Sequence, residues 1–267
     1  MKDTFNILVA IIKRKTQQQF GIKILMAYFL MSAVFDLVIY FFTNQLVDQS
    51  NFSNMASGTN YFSFVVIGAI FSDFFATSTQ SASSVLAHER ASGTLESYLQ
   101  SPYKLFTLLY ISSLAEIMNS IIRTLFYLII ALFLGFNLQL SWQLVWVFLY
   151  IVIAILTFQN ISIIFSALTL IDRRLNHVCG NIVTISIVLS GAFYPLTVVP
   201  EKIRFLFLYL PFTVTITWLR ELISGSQNTF GILLSIVLLF VFTNVFARWV
   251  FYLCEGRSMK NGNILFH

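Results

Sequence analysis

Asp36, Asp73, Glu116 and Arg123 interrupt long runs of apolar residues. Ionisable groups in such runs are costly, and they usually pair with one another or line a path for polar solutes. Two chemistries are open to the deeper residues, Asp73 and Arg123. They can form an ion pair that fixes helix packing, or they can exchange a proton or ion during transport. Asp36 reads as lying near the outer end of its run, exposed at an interface. Glu116 falls near the inner third of its run, within reach of lipid headgroups. His88, His177 and His267 share no ligand spacing, and Cys179 and Cys254 give neither a metal motif nor a disulfide framework, so no metal is expected. The chain contains no Gly-Lys pair. A phosphate-binding loop of the G-x-x-x-x-G-K-[ST] kind is therefore absent, and the chain is expected to be neither an enzyme nor a binder of cofactors.

The elements that position these residues belong to a membrane. Of 267 residues, 58% are hydrophobic and 10% charged, whereas a soluble domain needs roughly 25% charged residues to cover its surface. A helix crosses the hydrocarbon with about 20 apolar residues. Six runs qualify, at 21–43, 60–86, 104–135, 143–170, 178–195 and 228–252. Lys and Arg concentrate in 1–20, 87–103, 171–177 and 253–267, while 44–59 and 136–142 have none. The positive-inside rule then puts both termini and 87–103 in the cytoplasm of a multi-pass protein of the cell inner (plasma) membrane. The net charge of +5 reads as an orientation signal, so nucleic acid is not an expected partner.

The expected fold is all-α, a single permease domain over 1–267. Residues 1–20 suit an interfacial helix, with Phe5, Leu8, Val9, Ile11 and Ile12 on lipid and Lys13, Arg14 and Lys15 at headgroups. A mobile basic tail is the alternative. The basic cluster follows an apolar stretch instead of preceding one, which is not the pattern of a cleavable signal. Segment 196–227 is apolar but carries Pro200 and Pro211. It reads as a re-entrant region of two short helices broken at Pro211 on the outer side, since irregular backbone at membrane depth needs shelter by protein or a water-filled cavity. The run "ATSTQSASS" at 76–84 offers small hydroxylated side chains, either for close helix packing or as a polar lining.

One cytoplasmic link stands out. "LAHERASGTLESYLQSPYK", residues 86–104, is a polar insert between two apolar runs. Thr94 to Tyr98 can form a short helix, with Ser92 or Thr94 at its start and Glu96 in its first turn. Gly93 permits a sharp entry, and Pro102 a stop.

The insert resembles the signature of type-2 ATP-binding-cassette permeases, an acid and a base followed by Gly-Thr, an acid and a proline. The matching positions are Glu89, Arg90, Gly93, Thr94, Glu96 and Pro102. Residues 189–225 are similar to a second signature of that family through Ser190, Gly191, Tyr194, Pro195, Pro200, Pro211, Thr213 and Arg220. Polysaccharide-exporting members often carry a basic patch resembling "RYK", where this chain has "KRKTQQQFG". That departure favours the drug, peptide or lipid exporters.

The resemblance implies a permease that pairs with a second permease copy or paralogue and docks on two cytosolic ATPase subunits, which bind ATP and Mg. It implies that 87–103 is the coupling helix, with Glu89, Arg90 and Glu96 as rim contacts and Leu95 and Tyr98 packing. The rival reading is an ion-coupled secondary carrier working through Asp73 and Arg123.

Overall fold

The computed structural model describes residues 23–50, 52, 60–95, 98, 100–136, 142–225 and 228–260, with side chains from residue 31 onward except 119, 259 and 260. The expected interfacial helix over 1–20 lies outside them. The helices are α1 (Lys23–Leu46), α2 (Tyr61–Ala91), α3 (Leu105–Phe133), α4 (Gln143–Ile171), α5 (Leu175–Leu189), α6 (Glu201–Leu208), α7 (Pro211–Ile223) and α8 (Thr229–Lys260), with a 3₁₀ turn at Leu196–Val198.

Among the described residues, α2, α3, α4 and α8 are long and apolar enough to cross a bilayer. The apolar part of α1, Met31–Leu46, and the whole of α5 are shorter. The run 178–195 differs most from its expected span, because helix α5 stops at Leu189. Gly191 adopts φ 74°, a left-handed conformation that glycine reaches without steric cost, and Pro195 follows. Helices α6 and α7 meet at 89°. Leu210, just before Pro211, is extended (ψ 131°), as the proline ring demands of its predecessor, and Pro211 opens α7 where its missing N–H costs nothing.

Helix α2 continues past its expected end to Ala91, so Glu89 and Arg90 belong to the helix and not to the link. It closes in a Schellman motif. Gly93 N–H donates to Arg90 O at 3.2 Å, and Thr94 N–H donates to Glu89 O at 3.0 Å.

Helix α4 is the axis, packed along α2 on one side and α8 on the other. The upper core stacks Phe75 on Phe212 with ring centroids 4.1 Å apart, and Phe158 meets Phe75 edge-on at 4.8 Å. Tyr150 Oη donates to Thr215 O at 2.8 Å, joining α4 to α7. The small polar run of α2 faces inward. Ser78, Thr79, Ser81 and Ser83 are buried, and Ala82 N–H donates to Ser162 Oγ of α4 at 2.7 Å. This run is a packing seam between helices. Other aromatic residues, including Phe242, Phe246 and Trp249 of α8, point outward.

Candidate functional site

Three places bring sequence-predicted residues together. At one end of the bundle, Glu89 is buried, 6% exposed, and does not form a rim. Its carboxylate accepts hydrogen bonds from Thr94 Oγ1 and, at 3.3 Å, from Tyr98 Oη. Tyr98 Oη also lies 3.3 Å from Ser112 Oγ of α3. Glu89 therefore folds the link back onto α2 and α3, and the expectation of a rim contact is corrected. The reason is helical phase: extending α2 to Ala91 turns Glu89 toward α3. Arg90 is half-buried, and its Nη1 donates to Thr169 O of α4 at 3.1 Å. Leu95 is buried with Leu86, Leu105, Leu109, Leu170 and Phe251. The link is thus tied to α2, α3, α4 and α8 together. Leu95 and Tyr98 have helical backbone, and Pro102 is exposed ahead of α3. Glu96 lies outside the described residues.

At the opposite end, Arg220 of α7 holds the irregular turn after α5. Its Nη1 donates to Gly191 O at 2.9 Å, and Nη2 donates to Ala192 O at 2.8 Å. The guanidinium also lies 3.5 Å over the Phe64 ring of α2. A turn inside a bundle exposes carbonyls that no helix satisfies, and a planar guanidinium with five donors can serve several at once. The turn can approach because Gly68 of α2 has no side chain; a Cβ there would overlap the Ala192 carbonyl. Sequence reading missed Gly68, whose signal was a lone glycine within an apolar helical run. Pro195 starts the 3₁₀ turn, and Pro200 precedes α6. Arg204 closes this stretch by donating from Nη2 to Val199 O at 2.9 Å and Thr197 O at 3.0 Å.

Between these ends, Arg123 of α3 meets Asp73 of α2. Its Nη2 stands 3.3 Å from Oδ1 and donates to Thr77 Oγ1 at 2.9 Å. The pair lines a cavity of about 260 Å³ with Asp36, Tyr40, Tyr127 and Phe193. Asp36, expected near the outer end of its run and exposed, is exposed on α1 about 15 Å from the Leu46 end, and it also lines the cavity of the pair.

With this geometry in place, the comparison that decides the family is the profile of the ABC-2 type transporters, which matches residues 7–224. The chain belongs to the ABC-2 type transporter family. It is therefore a permease subunit of a transporter and a multi-pass membrane protein, and transport, not catalysis, is the family's work. The match spans the link 87–103, the Asp73–Arg123 pair and the turn gripped by Arg220. No curated protein sequence matches the chain significantly.

Two outcomes follow from these contacts. Gly68→Val will force α2 and the 190–192 turn apart, with a destabilisation of about 2 kcal/mol, read as a lower melting temperature of the solubilised permease. A similar change at Gly256, where a Cβ meets nothing, will leave melting nearly unchanged. Separately, a double-mutant cycle with Asp73→Asn and Arg123→Gln will show a coupling of about 1 kcal/mol. Additive losses in that cycle would mean that the two groups do not hold each other.

Proposed function

We propose that this chain is the membrane half of an ATP-driven exporter, moving a drug, peptide, lipid or glycolipid-like substrate outward with separate ATPase subunits. In this reading six segments span the inner membrane, α1 to α5 and α8. Helices α6 and α7 dip into the outer leaflet, and both termini face the cytoplasm. Two ATPase chains bind below a pair of permeases, ATP and Mg stay on the ATPases, and 87–103 is the coupling helix.

The observation that carries this reading is the anchoring of the link. Tyr98 of the link donates to Glu89 at the end of α2, Leu95 is buried in a cluster with residues of α2, α3, α4 and α8, and Arg90 beside Glu89 ties that end of α2 to α4. A push on the link cannot be absorbed locally and must displace the bundle. Nucleotide then shifts access only if ATPase closure favours one arrangement of the permeases, because a ligand moves an equilibrium by its differential affinity alone. The bend of 89° before α7 supports the re-entrant assignment, and Arg220 supplies the shelter that irregular backbone needs at depth. The ion-coupled alternative rests on Asp73 and Arg123, and both groups are engaged in joining α2 to α3.

Since Glu89 and Arg90 are built into the bundle, the docking test falls on other positions. Ala91 is exposed at the end of α2. Ala91→Trp combined with Glu96→Lys will lower transport by about tenfold, equivalent to roughly 1.4 kcal/mol of lost contact, and will release the ATPase during purification. The melting temperature of the permease will stay within error of the parent. Full transport by a normally assembled double variant would refute docking at the link. Charge reversal alone is a weak test, since exposed charge pairs contribute little.

Topology can be read in whole cells, in a background with Cys179 and Cys254 replaced by serine. Single cysteines Lys202→Cys and Ser224→Cys will both react with an impermeant maleimide from outside. Reaction of the second only from the cytoplasmic side would make α6 and α7 one span and change the count.

A further inference from the structure

The cavity lined by α1, α2, α3 and Phe193 holds more polar groups than the Asp73–Arg123 pair satisfies. Asp73 has Arg123, but Asp36 makes no hydrogen bond or ion pair among the described residues, although it lines the same space. Counting Asp36, Asp73 and Arg123, the charged residues lining the cavity carry one net negative charge. Tyr127 adds a second open group, because its Oη is buried without a hydrogen-bond partner. Tyr40 and Phe193 contribute rings whose centroids are 6.1 Å apart, and aromatic faces attract cations. Helix geometry puts the three charged groups at similar depths, about 15 Å from the Leu46 end of α1, about 18 Å from the Tyr61 end of α2 and about 15 Å from the Phe133 end of α3. A carboxylate that far along an apolar helix calls for a partner.

We propose that this cavity binds a protonated primary amine carried on an apolar tail, with Asp36 accepting the ammonium hydrogen bond and Tyr127 Oη accepting a second. Tyr40 and Phe193 flank the charge. Phe126, which lines the cavity and is 37% exposed on α3, leaves an apolar rim for the tail. A quaternary ammonium fits less well, because it has no N–H for either acceptor. The amine can arrive as a free amphiphile or as an ethanolamine headgroup of a lipid, and the chemistry of the site is the same for both. Binding here is a property of the permease alone and needs no ATPase, so its failure would leave the exporter reading intact.

The test is equilibrium binding of radiolabelled octylamine, fully protonated at neutral pH, to the full-length permease in nanodiscs of phosphatidylglycerol. Saturable binding is expected at one site per chain. Asp36→Asn will weaken it at least about tenfold and Tyr127→Phe about threefold, as expected for ammonium hydrogen bonds to an ionised and to a neutral acceptor. Octyltrimethylammonium will compete poorly. Replacing half of the lipid with phosphatidylethanolamine separates the sources. Loss of octylamine binding identifies a lipid headgroup as the occupant, while unchanged binding identifies a free amphiphilic amine; either outcome supports the site. Absence of saturable binding in phosphatidylglycerol, or equal binding by wild type and Asp36→Asn, overturns the proposal. Should Asp36→Asn fail to fold, Tyr127→Phe decides, since it removes only one hydroxyl and unchanged binding by it would overturn the two-acceptor site.

Discussion

The packing at one end of the bundle depends on a single guanidinium. Arg220 reaches from α7 to the carbonyls of Gly191 and Ala192 and lies on the Phe64 ring. Without those donors the turn after α5 would leave buried carbonyls unsatisfied, which costs more inside a bilayer than in water. With them, α5 can end at Leu189 and the chain can turn into α6 and α7. Gly68 completes the arrangement by letting the Ala192 carbonyl touch the backbone of α2. One long side chain and one missing side chain thereby fix where three helices and a turn meet.

The same logic, a polar group satisfied by backbone of another element, recurs at the other end. Arg90 donates to the Thr169 carbonyl near the end of α4, and Ser258 Oγ donates to Leu170 O at 2.8 Å. Helix ends carry carbonyls that have no partner within the helix, and these contacts supply donors while joining α2 and α8 to α4. Midway along the bundle, Asn244 Nδ2 donates to Asn160 Oδ1 at 3.3 Å and Gln159 Nε2 donates to Ser113 Oγ at 2.8 Å. Apolar packing alone does not strongly drive helices together in lipid, because lipid tails are equally apolar. Small residues and interhelical hydrogen bonds of this kind give the bundle its register.

The link after α2 is likewise held on several sides. Leu95 is buried among residues of α2, α3, α4 and α8, and Glu89 closes the link from beneath. The cavity lined by Asp36, Asp73 and Arg123 lies between α1, α2 and α3, two of which flank the link directly. Tilting α2 against α3 would change the shape of that cavity and the distance across the ion pair.

Composition and spacing determined the class of molecule, the positions of most apolar helices and the break at Pro211, and they marked Asp73 and Arg123 as groups that need a partner. Each follows from local rules: apolar length against bilayer thickness, the backbone limits of proline, and the cost of unpaired charge at depth. The tertiary structure decided which way side chains face. A few residues of extra helix turned Glu89 from a surface acid into an internal anchor, since every added residue rotates a helix by about 100°. The packing of α1 beside α2 and α3 set Asp36 at the edge of the cavity of the pair. Gly68 acquired meaning only when Ala192, far away in sequence, came to rest against it. These are relations between elements, set by helix phase and interhelical contact, and no stretch of sequence read alone contains them.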